Sequence, residues 1–259
     1  MSILKVSGLT KSFGGVHAVK NVSFDLNRGE MLALIGPNGA GKTTCFDMLN
    51  GQLSADSGSV LYFDEELLGK NPRDIWRKGV GRTFQITATF SSMTVRENVQ
   101  VALLSHHKRI FSLWGKASSQ FVAEADALLD RVGMHHQRDR ACGILAYGDL
   151  KRLELAIALA HDPKLLLMDE PTAGMAPQER IRLMEQVSSI VKNSSLSVLF
   201  TEHDMDVVFA HSDRLMVLNR GEIIAMGDGH DIRANELVKQ VYLGGGTTFD
   251  VTAEASGNA

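Results

Sequence analysis

Cysteine is nearly missing from this 259-residue chain, which has only Cys45 and Cys142. Two scattered thiols make neither a disulfide framework nor a zinc pattern, so a reducing compartment is expected. Proline is sparse at five residues and aromatics make up only 6%. No sign of charge dominates: 27 Lys and Arg stand against 30 Asp and Glu, for a formal net charge of −3. That balance gives no global affinity for nucleic acid, and a local pair such as Lys151-Arg152 is too small to reverse it. No run approaches eighteen uninterrupted apolar residues, and Met1 to Lys5 lack a signal-peptide core. A soluble chain is therefore expected, with any membrane role reached through a partner. What remains is ordinary globular composition, 44% hydrophobic and 22% charged, in a length that allows one large or two small domains.

Glycine is plentiful at 24 residues, and three of them punctuate the most informative segment: Gly36, Pro37, Asn38, Gly39, Ala40, Gly41, Lys42, Thr43 and Thr44. This is the phosphate-loop pattern G-x-x-x-x-G-K-[ST] in its proper setting. Met31 to Ile35 reads as a short buried strand leading in, and Thr43 to Leu49 as a helix leading out. Glycines allow positive φ, so backbone N–H groups turn inward around anionic oxygens. Lys42 would reach the β- and γ-phosphates, and the Thr43 hydroxyl would ligate Mg²⁺. The helix N-terminus behind the loop adds partial positive charge.

Around this loop the pattern predicts an α/β fold. Ile3 to Phe13 and Val22 to Leu26 read as strands, with a further β stretch at Ser59 to Phe63. Gln85 to Ala160 reads as mostly helical, with Phe121, Val122, Ala125, Leu128, Leu129 and Val132 on one helix face. Lys164 to Met168 and Ser197 to Phe200 are short apolar runs suited to strands covered on both faces. Ile181, Met184, Val187 and Ile190 predict an amphipathic helix. Arg214 to Leu218 and Glu222 to Met226 predict a hairpin around Asn219, Arg220 and Gly221. The expected organisation is a phosphate-loop core with a mostly parallel sheet at 1–84 and 161–259, an N-terminal antiparallel β segment, a helical insert at 85–160, and a frayed polar tail at 247–259.

Kinases, GTPases, helicases and transport ATPases all share a phosphate loop. The run Leu165 to Pro171 narrows the class, because Asp169 ends an apolar strand where it can hold Mg²⁺ through water. Glu170 follows, where it can accept a hydrogen bond from an attacking water. Four weaker elements stand in a telling order: Phe13 within Lys11 to Gly15, Gln85 within Arg82 to Gln85, the segment Leu145, Ala146, Tyr147, Gly148 and Asp149 opening a helix from Leu150 to Ala160, and His203 within Thr201 to Asp204.

That order, over residues 3 to 243, resembles the ATP-binding cassette family. The resemblance implies that Phe13 stacks on the adenine ring and that Gln85 touches Mg²⁺ or the attacking water and reports the γ-phosphate to a membrane partner. It implies that Asp169 binds the metal, Glu170 polarises the water, and His203 hydrogen-bonds the γ-phosphate. Gly174 to Pro177 would cross to a second subunit. The family's common signature is Leu-Ser-Gly-Gly-Gln, and Leu145 to Asp149 departs from it. Gly148 and the helix N-terminus remain to meet a γ-phosphate held by the other subunit, the serine hydroxyl is lost at Ala146, and Asp149 brings a negative charge that must point away.

The departure, followed by Lys151-Arg152-Leu153-Glu154, is similar to the ATPase subunits of branched-chain amino acid importers. So are Thr94 to Val99, Glu202 to Met205 and Val241 to Gly244. The resemblance implies ATP and Mg²⁺ as cofactors, a second cassette subunit in a homo- or heterodimer (the altered signature favours an asymmetric pair with a different cassette), permease subunits, and indirectly a periplasmic binding protein, at the cytoplasmic face of the inner membrane. Alternatives are a urea or amide importer, a lipopolysaccharide-type exporter, a soluble cassette protein of translation or DNA repair, and a small-molecule kinase. Exporters keep Ser-Gly-Gly, soluble cassettes carry two cassettes or a long coiled coil, and a kinase has no use for Leu145 to Asp149. His106-His107 and His135-His136 lack metal-ligand spacing and read as solvated.

Overall fold

A computed structural model describes residues 1–83, 89–107 and 120–243. Gln85, with the rest of 84–88 and 108–119, and the tail from 244 lie outside the described residues.

The chain opens with two twelve-residue strands, β1 (Ser2–Phe13) and β2 (Val16–Asn27), paired antiparallel. Then come β3 (Met31–Ile35), α1 (Lys42–Leu49), β4 (Ser57–Tyr62) and the two-residue β5 (Glu65–Glu66). The first sheet is antiparallel with order β2-β1-β4-β5. Strand β2 is longer than the expected Val22 to Leu26. Its buried residues are Val19, then Val22, Phe24 and Leu26, which changes parity across Asn21 (φ +49°) where the pairing with β1 shifts register. A bulge breaks the period-2 signal there, so only the second half of the strand announces itself.

After α2 (Pro72–Arg77) and β6 (Val80–Thr83), the chain runs through α3 (Val95–His106), α4 (Val122–Arg131) and α5 (Tyr147–Leu159) before β7 (Leu165–Asp169). Then α6 (Pro177–Lys192), β8 (Ser197–Thr201), α7 (Met205–His211), β9 (Arg214–Asn219), β10 (Glu222–Gly227), α8 (Gly229–Ala234) and α9 (Glu236–Leu243) complete it. The second sheet has order β10-β9-β3-β8-β7-β6, parallel throughout except for the edge strand β10, which pairs antiparallel with β9.

Strands β3, β7 and β8 are buried along their whole length. Met31, Ala33 and Ile35 join one apolar core with α3 to α7, while Leu32 and Leu34 join a second core with α1 and the antiparallel sheet. Leu166 and Met168 face the first core and Leu165 and Leu167 the second. A strand covered on both faces needs apolar residues at every position, and this is why these runs show no alternation.

Several expectations shift. On α6 the buried face is Leu183, Met184, Val187, Ile190 and Val191, and Ile181 is 49% exposed. Phe121 caps α4 at φ +57° rather than sitting inside it. Helix α5 begins at Tyr147, three residues before the expected Leu150, so Gly148 and Asp149 lie in its first turn. Cys45 and Cys142 are free and buried, and burial pushes the Cys45 thiol up to about 12.

Candidate functional site

The loop Gly36 to Gly41 leaves the carboxyl end of β3, at the centre of the parallel sheet, and delivers the chain into α1. Two glycines there are sterically required. A Cβ on Gly36 (φ +153°) would sit 2.1 Å from Leu218 O, and one on Gly41 (φ +107°) 2.2 Å from Ala18 O. The loop is thus pressed between β9 and β2. Gly41 caps α1 without a side-chain bond and no acidic residue occupies the first turn, so the first N–H groups of α1 carry their partial positive charge uncompensated by side chains.

Lys42 is 7% exposed, and its ammonium donates to Gly36 O (2.7 Å) and Pro37 O (3.2 Å). Burial lowers its pKa, and the carboxylates of Glu170 and Asp169 act in the opposite direction. Asn38, Gly39 and Thr43 are exposed, Pro37 and Thr44 are half-buried, and Ala40 is buried beneath the loop, its carbonyl accepting from Gly221 N–H (2.9 Å).

Asp169 ends β7, beside Thr201 at the end of β8. The Thr201 hydroxyl donates to Asp169 Oδ1 (2.7 Å) and accepts from Glu170 N–H (2.9 Å). Glu170 itself stands at φ +48°, a left-handed conformation costing about 1–2 kcal/mol for a residue with a Cβ. Its Oε1 lies 2.7 Å from His203 Nε2. Glu202, 5% exposed, holds the neighbouring loops together: Oε1 accepts from Thr172 N–H (2.9 Å) and Thr172 Oγ1 (2.6 Å), and Oε2 accepts from His203 N–H (3.2 Å). Arg82, at the end of β6, donates to Asp47 on α1 (3.0 Å) and lies 3.8 Å from Asp169 Oδ2. The donor set suits Mg²⁺: a buried carboxylate with lone pairs to spare at Asp169 and an exposed hydroxyl at Thr43, both hard oxygens.

Phe13 is 48% exposed at the tip of the β1–β2 hairpin, opposite Val16, and Lys11 Nζ stands 5.6 Å from its ring centroid. Ala18, two residues after Val16 on β2, lies against the loop at Gly41. An aromatic face is therefore open to solvent on the hairpin that abuts the loop.

The structure thus gathers Gly36 to Thr44, Asp169, Glu170 and His203 at the carboxyl ends of β3, β7 and β8, the place where open α/β sheets bind ligands. Leu145 to Asp149 lie elsewhere. A Cβ on Gly148 would meet the Glu179 carboxylate at 2.9 Å, and the Tyr147 ring abuts Gly174. Asp149 accepts from Gln137 Nε2 (2.9 Å) and pairs with Arg152 (3.4 Å). Among the described residues, no hydrogen bond, ion pair or ring contact joins Leu145–Asp149 to Gly36–Thr44. The sequence assigns no role to Thr201, Arg82 or Glu202. Thr201 and Glu202 stand within the quoted Thr201 to Asp204, and Arg82 opens the quoted Arg82 to Gln85, yet only strand register shows which carboxylates they serve.

A family profile described as ABC transporter matches residues 19–173. The chain belongs to the ABC transporter family. It is 41% identical over 249 residues to the high-affinity branched-chain amino acid transport ATP-binding protein LivG of Escherichia coli (strain K12), covering 93% of this chain and 98% of that one. It is 37% identical over 249 residues to BraF of Pseudomonas aeruginosa, an ATP-binding protein of the same description, with the same coverage. Among solved structures, the ADP conformation of an ATP-binding cassette from an ABC transporter superposes with a TM-score of 0.84 at 31% identity, covering 94% of this chain and 99% of that one. The ABC transporter chain is accordingly an ATP-binding cassette ATPase with the α/β fold of that family. Among the described residues, no helix is long and apolar enough to cross a membrane.

Proposed function

We propose that this ABC ATPase is the ATP-hydrolysing subunit of a branched-chain amino acid importer, held at the cytoplasmic face of the inner membrane by permease subunits that a periplasmic binding protein supplies. The observation that carries the catalytic part is the Thr201 bridge, which seats Asp169 and Glu170 together while Glu170 meets His203 at 2.7 Å. In this reading Phe13 stacks on adenine, and Gly36, Pro37, Asn38, Gly39, Ala40, Gly41 and Thr44 wrap the phosphates with backbone donors. Lys42 neutralises the transferring phosphoryl. Thr43 and Asp169, with Gln85, would hold Mg²⁺, which would supply charge neutralisation at the phosphates. Glu170 orients the attacking water, and His203 bonds the γ-phosphate. Catalysis is positioning plus charge stabilisation, with no covalent intermediate.

The signature supports a site split between chains. Asp149 is held by Gln137 and Arg152, while Tyr147 is 43% exposed beside Gly174, so this segment can complete the pocket of a second cassette. Ala146 caps α5 without a side-chain bond, which leaves its first N–H groups for an outside acceptor. Closure of the pair then gates hydrolysis and drives the permeases. The partner is a different cassette, and a homodimer with two equally active sites would count against that pairing. The substrate class rests on likeness to LivG and BraF, as their names describe them.

Glu170→Gln tests the assignment. The variant is expected to keep MgATP affinity, to accumulate as a closed dimer with ATP, and to lose about 10²–10⁴ in turnover, the usual worth of a positioned base. Unchanged hydrolysis would remove Glu170 from its role.

A further inference from the structure

Glu202, His203 and Asp204 form the turn between β8 and α7. The two carboxylates flank the histidine and reach opposite ends of one neighbouring segment. Glu202 Oε1 accepts from Thr172 N–H (2.9 Å) and the Thr172 hydroxyl (2.6 Å). Asp204 Oδ2 accepts from Arg180 Nη1 at 2.9 Å. Arg180 stands in the first turn of α6, and its Nε donates back to Met175 O at 2.8 Å. Met175 is itself buried, at 3% exposure. Residues 172–180 are therefore fastened to the His203 turn at both ends. Between the fastenings, Gly174, Ala176, Pro177 and Gln178 are exposed.

The chemistry of both partners suits this tie. A guanidinium presents its N–H donors in a fixed fork, so one side chain holds a carbonyl and a carboxylate at a set spacing. Asp204 divides its two oxygens. Oδ1 caps α7, accepting from Asp206 N–H (3.1 Å) and Val207 N–H (3.3 Å), while Oδ2 serves Arg180. The Arg180 and Asp204 side chains are 32% and 27% exposed, so their charge pair adds little to stability. What it contributes is geometry, because the residue it fixes is next to His203, whose Nε2 lies 2.7 Å from Glu170 Oε1.

We propose that Arg180 is a positioning residue for hydrolysis: by joining Met175 to Asp204 it makes the 172–180 segment and the His203 turn move as one body. A second cassette pressing on the exposed Gly174–Gln178 stretch then sets His203 toward the γ-phosphate. This rests on the ATPase reading above, in which His203 bonds that phosphate. MgADP carries no γ-phosphate, so its binding is indifferent to the tie.

Two variants remove the tie from opposite sides. Arg180→Gln takes away the fork. Asp204→Asn keeps an oxygen to cap α7, since Asn and Asp cap equally well, and turns an amide donor toward Arg180. Phosphate release at saturating MgATP by the intact transporter complex is expected to fall about tenfold in each, within the usual range for residues that couple two sites. The double variant should fall by the same tenfold, because the two changes break one link. MgADP affinity of the full-length chain, by titration calorimetry, should be unchanged in all three. Full-rate hydrolysis in either single variant overturns the proposal. So does a hundredfold fall in the double variant, which would mean two independent effects, or a loss of MgADP affinity in step with the loss of rate. Failure of the unmodified complex to hydrolyse ATP would overturn the ATPase reading instead.

Discussion

Thr201→Val is the sharpest test of how the site is built. The side chain is fully buried, and valine matches its shape. What goes is one oxygen with two bonds: a donor to Asp169 Oδ1 at 2.7 Å and an acceptor for Glu170 N–H at 2.9 Å. A hydrogen bond to a charged group contributes about 1.5–3 kcal/mol, and a stranded N–H costs about 1–3 kcal/mol. The two losses share an atom and do not simply add, so a destabilisation of about 3 kcal/mol is expected, or about 9 °C in Tm for a chain of this size. The kinetic effect follows from the backbone. Glu170 is held at φ +48° against an intrinsic cost of about 1–2 kcal/mol, and Thr201 is its anchor. Without that anchor the residue relaxes toward negative φ and its carboxylate leaves His203.

A displacement of about 1 Å costs about a hundredfold in rate, so kcat should fall by roughly that factor. KM for ATP should move little, because Lys42 and the loop are untouched. Phosphate release at saturating MgATP, measured alongside thermal unfolding, reads both quantities. Thr201→Ser should restore most of each, since it returns the hydroxyl. If Thr201→Val lost stability yet hydrolysed ATP at the full rate, the bridge would be structural only, and the account of Glu170 would be wrong.

Two further outcomes follow from other parts of the molecule. Gly36→Ala places a Cβ 2.1 Å from Leu218 O, a backbone atom that cannot step aside, so the loop must move and MgADP affinity measured by calorimetry should fall at least tenfold; retained affinity would show that the loop tolerates the shift. His161 has its pKa lowered to about 4, chiefly by burial and secondarily by the charge on His106. Its folded-state pKa lies below the unfolded value near 6.5, so the unfolded chain takes up the proton first and stability is lost as pH falls from about 6.5 to about 4, by about 3 kcal/mol in all. His161→Leu should flatten the pH dependence of Tm in that window and leave stability at pH 8 unchanged or higher; an unaltered pH profile would remove His161 as its source.

The parts of this molecule that were legible in sequence are those whose chemistry is local in the chain. The phosphate loop is nine consecutive residues, and Asp169 with Glu170 closes an apolar strand. Strands β3, β7 and β8 stand out as unbroken apolar runs because both their faces are buried. What was hidden depends on neighbours across the sheet. Thr201 matters because β8 pairs with β7 so that Asp169 and Thr201 come level. Arg82 matters because β6 lies on the other side of β7. Strand β6 itself, Val80-Gly81-Arg82-Thr83, has no apolar run or alternation to read. Helix α2 is six residues, too short for an apolar period, but it carried a readable start: Asn71 accepts from Asp74 N–H and Pro72 follows it. Ile181 fits the helical period by spacing alone, yet Leu183 takes the buried place, because a period fixes a stripe and not which edge of it meets the core.

The altered signature has a physical consequence for how two cassettes would share work. Helices α5 and α6 begin side by side, with Tyr147 against Gly174 and Gly148 against Glu179. Both are capped by alanines, Ala146 and Ala176, that offer no side-chain acceptor. A Ser or Asp cap contributes about 1 kcal/mol to a helix, so this chain forgoes that twice on one face. Asp149 sits in the first turn of α5, where a carboxylate favours the helix dipole, and Gln137 and Arg152 bind it to the chain's own surface. Its charge thus serves α5 rather than confronting a phosphate. What α5 offers outward is backbone N–H alone. On the proposed reading, the pocket it completes lacks the hydroxyl that a serine signature would give the γ-phosphate, a charge-assisted bond of about 1.5–3 kcal/mol. Paired with a cassette that has the serine, this chain would complete the weaker of two sites and own the stronger one, because its own phosphate loop, Glu170 and His203 would be closed by the partner's better signature.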